Sequence, residues 1–216
     1  LNLKVNTFEP ASLAALYPIL NDVGGRIDLN LQVGGSLEAP LLNGSVDWLN
    51  PSFREVRLKR IFGTMKGNPD LEVIDLTSMS VETLSGKTHS VSGHINTKNQ
   101  LSAGLRVSVK DQEISEFLEP FDLEQYASGP VSFDLTLDGT FDNPFLKLEL
   151  YQGPSNIYGF AARDINLTAS YQNGLVLITR ARGQVDEGSF SIFGTADLNK
   201  LSADLQINVE RFPVAA

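Results

Sequence analysis

The sequence predicts an all-β chain built from two tandem copies of one antiparallel module, and three observations carry that expectation. Apolar and polar residues alternate with period two over long stretches, turn signals punctuate the stretches, and the arrangement recurs at a fixed offset. Ile27, Leu29, Leu31 and Val33 fall on one face against Asp28, Asn30 and Gln32; Val131, Phe133, Leu135 and Leu137 then fall opposite Ser132, Asp134, Thr136 and Asp138. Because side chains alternate across a strand, each such strand has one apolar and one wet face.

The repeat sets the organisation. Gly25 falls on Gly129, Ile27 on Val131, Gly35 on Gly139 and Pro40 on Pro144, an offset of 104 (129 − 25) that also carries Leu1–Val5 onto Leu105–Val109. After a small deletion, Val91-Ser92-Gly93 matches Ile192-Phe193-Gly194, and Leu101–Val109 matches Leu201–Val209 at an offset of 100 (201 − 101). The expected modules are residues 1–104 and 105–204, with 205–216 opening a truncated third copy or forming a terminal strand. Leu1 begins in mid-strand without an initiator Met, so the expectation is a fragment of a longer array. Tandem units of this kind stack into an elongated solenoid.

Each module opens with a strand and then changes period. Leu13, Leu16, Tyr17 and Leu20 follow i, i+3, i+4, i+7, as do Ile114, Phe117, Leu118 and Phe121, which predicts a short amphipathic helix over 11–21 and another over 113–126. Pro18 and Pro120 lie inside these patterns and should break or kink them. Such helices either seal part of the core or cap a groove. The remaining alternation runs through 71–73, 91–95, 101–109, 165–171, 175–178, 190–196 and 205–209. Turn signals between strands are Gly34-Gly35, Asn43-Gly44, Gly67-Asn68-Pro69, Asp138-Gly139, Asn173-Gly174 and Glu187-Gly188.

Composition excludes several functions. The 216 residues are 42% hydrophobic with no transmembrane-length apolar run, so the chain can bury a core without being a membrane span. A formal net charge of −9 argues against nucleic acid and against adhesion to an anionic membrane surface. With no cysteine there is no disulfide, thiolate nucleophile or cysteine metal site.

The search for chemistry ends in structural readings. His89 and His94 are the only histidines, and neither they nor Ser90 sit in a nucleophile-elbow pattern. Gly86-Lys87-Thr88 imitates the tail of a phosphate loop, but Val81 stands where its first glycine belongs. No D-x-D-x-D-G calcium loop occurs, and Glu113, Glu116 and Glu119 read as a solvated face. Trp48 is a core residue or a sugar-stacking platform. The expectation is a protein with no catalytic residues, no metal and no cofactor. One-faced strands form either a filled sandwich or an open apolar trough, and periodicity does not choose between them.

The run G-x-I-x-L-x-L-x-V-x-G-x-L-x-x-P-x-L-x-G, Gly25 to Gly44, with its partial copy Gly129 to Pro144, resembles the TamB family of the AsmA-like bridge-protein superfamily. The resemblance implies a β-sheet curled lengthwise into a U-shaped β-taco with an apolar groove, in the periplasm of a diderm bacterium, its parent anchored in the inner membrane outside this segment. It further implies phospholipid acyl chains as cargo, conducted between inner and outer membrane, and an outer-membrane β-barrel partner. The groove would be lined by Ile27, Leu29, Leu31, Val33, Val107, Val109, Val131, Phe133, Leu135, Leu137, Leu175, Leu177 and Ile192. Rival readings are an assembly factor for outer-membrane β-barrel proteins and a surface adhesin; an adhesin should repeat its aromatic site, and the position matching Trp48 is Gln152.

Overall fold

The computed structural model describes residues 2–13, 21–36, 40–53, 56–68, 70, 72–98, 102–119, 122–140 and 143–211. The chain is all-β, and its described residues form 16 antiparallel strands in one sheet. It divides into two units, Leu1–Val107 and Ser108–Ala216, the division falling inside one strand. The first unit holds β1 (Asn2–Phe8), β2 (Val23–Gly35), β3 (Pro40–Phe53), the two-residue β4 (Val56–Arg57), β5 (Arg60–Gly67), β6 (Val73–Glu82), β7 (Thr88–Asn96) and the start of β8 (Ser102–Glu113). The second continues with β9 (Ala127–Ser128), β10 (Pro130–Thr140), β11 (Pro144–Gln152), β12 (Ser155–Ile157), β13 (Phe160–Gln172), β14 (Leu175–Val185), β15 (Gly188–Asp197) and β16 (Ser202–Glu210). Neighbours in sequence are neighbours in space, apart from the short β4, β9 and β12, which pair off the main path.

Local chemistry explains the hairpins. Asn173 and Gly174 both take positive φ, 53° and 80°, between the paired Gln172 and Leu175, the geometry whose twist matches the flanking strands. Gly86-Lys87-Thr88 lies at the β6–β7 turn, closed by Thr83 N–H to the Lys87 carbonyl at 2.9 Å. Asn43-Gly44, expected as a turn, is instead interior to β3, pairing with Gln32 and Leu31. Gly44 serves packing: a Cβ there would lie 2.7 Å from Leu31 Cδ2 and 3.1 Å from Met65 Cγ.

The helices are smaller than their apolar spacing suggests. In the second unit a single turn, α1 (Ser115–Leu118), is followed by a 3-10 turn at Glu124–Tyr126 rather than one helix over 113–126. Pro120 has no N–H with which to extend α1. The first expected helix, 11–21, begins with a 3-10 turn at Pro10–Leu13; residues 14–20 lie outside the described residues.

Many of the buried side chains lie at one end of the strands in each unit, while Met79, Ala103 and Val109 are buried elsewhere along theirs. At that end lie Gln112 (0% exposed), Val131 (2%), Gln152 (2%), Ala162 and Val185 in the second unit, and Pro51, Thr83 and His89 in the first. Elsewhere the apolar positions are mostly half-exposed. The whole chain presents 13728 Å² to water, against about 9,800 Å² for a monomeric globular protein of this mass.

Candidate functional site

Directly opposed residues on antiparallel strands share a face, so the register shows which side chains form a common surface. In the first unit, Leu29 pairs with Val5 and Val46, Val46 with Gly63, Gly63 with Met79 and Met79 with Val91. The next row runs Phe8, Ile27, Trp48, Ile61, Val81 and His89 by the same registers. In the second unit one row is Phe133, Leu150, Leu167, Ala181, Ile192 and Ile207, and the next is Leu135, Leu148, Ala169, Ile178, Gly194 and Leu205. Each unit thus carries a ladder of apolar rows on one face.

Most of the expected groove-lining positions sit on that face. Ile27, Leu29, Leu31, Val33, Phe133, Leu135, Leu137 and Ile192 are half-exposed there, and Val131 is buried. Ser108 Oγ donates to Asp134 Oδ1, which places Ser108 on the polar face and, by alternation, Val107 and the buried Val109 on the apolar one. Leu175 and Leu177 are corrections. Leu177 pairs with Ser170 and Thr195, and Leu175 with Gln172 and Asp197, so both stand exposed on the polar face. Val176 and Ile178 take the apolar side, and a register shift between Ile178 and Ala181 keeps Ala181 there too. A run of four consecutive apolar residues had no alternation with which to choose its face.

The opposite face is polar. Arg60 holds Asp47 in a two-pronged pair, Nε to Oδ1 and Nη2 to Oδ2, both 2.6 Å, and lies 4.6 Å over the Phe62 ring. That hydrogen bonding holds the Asp47 carboxyl below the usual carboxylate range. Trp48 is half-buried on the apolar face with its indole N–H donating to the Gly24 carbonyl at 3.0 Å, an arrangement of core packing rather than of a solvent-facing platform. Ser90 and His94 lie four residues apart on an extended strand, about 13 Å, too far for nucleophile and base. Glu113 is not a solvated carboxylate: its Oε1 accepts the Gly129 N–H. Among the described residues no group of three or more His, Cys, Asp or Glu side chains could hold a metal ion.

Three features of the face escaped the alternation. Phe117, carried by α1, packs edge-on against Phe133 with ring centroids 5.2 Å apart, so the helical turn covers one end of the apolar surface. Tyr126 and Tyr158 stack at 4.8 Å beyond it, held by Tyr158 N–H to the Tyr126 carbonyl at 2.7 Å. The third is a polar intrusion: Gln152 lies between Val131 and Ile165 in the apolar row, and its Nε2 has no hydrogen-bond partner. The repeat could have flagged it, because positions 8 and 48 are Phe and Trp while their matches, 112 and 152, are both Gln. A buried donor without an acceptor costs about 1–3 kcal/mol. Gln152→Leu is therefore expected to raise the urea unfolding midpoint, by about 1–2 kcal/mol of stability; a lowered midpoint would mean the amide is bonded in solution.

Compared with protein-family models, curated proteins and solved structures, the chain matches none of them.

Proposed function

We propose that the apolar face of each unit holds lipid acyl chains, and that the chain is a segment of a TamB-like bridge conducting phospholipid across the periplasm between inner and outer membrane. The observation that carries this reading is the half-exposed apolar ladder set against a polar reverse face. Contiguous exposed apolar surface commonly marks an interaction or ligand site, which supports this reading. Four alternate positions such as Ile27 to Val33 extend over about 20 Å of strand, and each methylene withdrawn from water contributes about 0.8 kcal/mol. An acyl chain needs no directional polar contact, so no catalytic constellation is required. Head groups stay in water while tails lie against the ladder, and a U-shaped curl of the sheet would shelter them.

The test is a photo-crosslinking amino acid at Leu135 and, separately, at Asp134 on the reverse face, in the full-length protein in cells. Phospholipid adducts are expected at Leu135 and not at Asp134. Absence of lipid at both sites in a folded protein would discard the conduit. A role in assembling outer-membrane β-barrel proteins is the second reading, favoured by the strand edges at β1 and β16, each of which pairs on one side only among the described residues.

A further inference from the structure

The two units differ in chemistry along one row of the ladder. Thr7 and Asp111 hold the same place in the repeat and both take positive φ, 57° and 49°. In the first unit that extra residue shifts the β1–β2 register between Val5 and Phe8 and returns Phe8 to the apolar face, opposite Ile27. In the second, Asp111 N–H donates to Ser132 Oγ at 3.1 Å, and the repeat sets Gln112 in the place facing Val131. The row therefore reads Phe8, Ile27, Trp48, Ile61 in one unit and Gln112, Val131, Gln152, Ile165 in the other. Two buried amides stand where the first unit has two aromatic rings.

The donors of this row are used differently. The Trp48 indole N–H bonds the Gly24 carbonyl, whereas Gln152 Nε2 has no hydrogen-bond partner. Gln152 also stands at the head of an apolar strip. One step along the strands its same-face neighbours are Leu150 and Phe133, then Leu148 and Leu135, then Leu146 and Leu137, all half-exposed. A single N–H donor at the end of hydrocarbon-lined surface suits a ligand with one acceptor at the end of a hydrocarbon chain. Charge narrows the acceptor. Residues 113–126, which follow Gln112, carry Glu113, Glu116, Glu119, Asp122 and Glu124 and no lysine or arginine, so a phosphate or carboxylate would meet like charge there.

We propose, resting on the acyl-chain reading above, that Gln152 is the docking point for the ester carbonyl of an acyl lipid, with the tail running from Leu150 and Phe133 toward Leu146 and Leu137. The amide reaches the carbonyl by turning along the strand. No hydrogen bond holds Nε2 in its buried position, the side chain has three rotatable bonds, and Leu150 lies about 7 Å away. The bond relieves the buried donor and fixes how far along the strip a tail is drawn.

The probes are myristoyl lysophosphatidylcholine and its ether analogue, which share head group and alkyl chain and differ in the carbonyl, titrated below their micelle concentrations into the full chain. The ester is expected to bind about fivefold more tightly than the ether, the worth of one hydrogen bond. Gln152→Leu should weaken the ester alone and bring the two affinities together. This is also the variant expected to gain stability, so the loss would not reflect a damaged fold; Gln152→Met, which keeps the length of the side chain without its donor, repeats the comparison. The infrared band of an isotope-labelled ester carbonyl should fall in frequency on binding to the parent and not on binding to either variant. Equal affinities in the parent, or an ester preference that survives both substitutions, would overturn this site while leaving tail binding intact. Tighter binding of myristate than of the ester would overturn the neutral carbonyl. If neither lipid binds, the acyl-chain reading falls and the site with it.

Discussion

Leu135→Asp is expected to leave a folded protein that no longer loads lipid. Leu135 stands opposite Leu148 in the middle of the second unit's apolar ladder and is half-exposed. A carboxylate there can keep water contact while the face is empty, so the cost to folding should be limited to lost apolar burial, about 1–2 kcal/mol. A tail lying over the same position would strip that water, and an unpaired charge against hydrocarbon is far more costly. Lipid adducts at a crosslinker placed on Leu148 should fall tenfold or more in Leu135→Asp and persist in Leu135→Met. Two outcomes count against the conduit. Undiminished adducts would mean that tails do not cross this row; failure of the variant to fold would mean that the face is covered by protein in solution, where a buried charge cannot be tolerated.

Alternation made the faces legible, and with them most of the ladder, because a period of two assigns every residue of a regular strand to a side. The signal failed where the strand is not regular. Leu175-Val176-Leu177-Ile178 offered both faces an apolar residue, and only the pairing with Ser170 and Thr195 turned Leu177 outward to the polar side. Asn43-Gly44 has the composition of a turn but sits inside β3, where tertiary packing of Leu31 and Met65 required a position without a side chain. The apolar spacing at Ile114–Phe121 was real yet gave a single helical turn, long enough to set Phe117 on Phe133 and no longer. Gln152 was visible as a residue but not as a problem. The repeat marks it as polar where the first copy has Trp48, but that its Nε2 is buried without an acceptor depends on β10 and β13 on either side of β11, which sequence spacing does not specify.

The largest loss of stability is expected from Gly194→Ala. Gly194 has φ 139° inside β15, a conformation that costs a side chain-bearing residue about 1–3 kcal/mol by itself. The added Cβ would also lie 2.1 Å from the Asp204 carbonyl oxygen, a backbone atom that cannot rotate aside. Relief requires β16 to move off β15. The total should exceed about 3 kcal/mol, a large part of the roughly 5–15 kcal/mol that holds an ordinary domain together. Gly159→Ala separates the two causes: φ is 85° in the β12–β13 turn, but nothing lies within 4 Å of the new Cβ, so only the conformational part should be lost. Urea unfolding of the two variants should therefore differ by more than about 1 kcal/mol, and amide exchange should be accelerated at Leu205 and Ile207 in Gly194→Ala alone. Equal, mild effects of both substitutions would show that β15 and β16 do not approach as closely as a glycine permits.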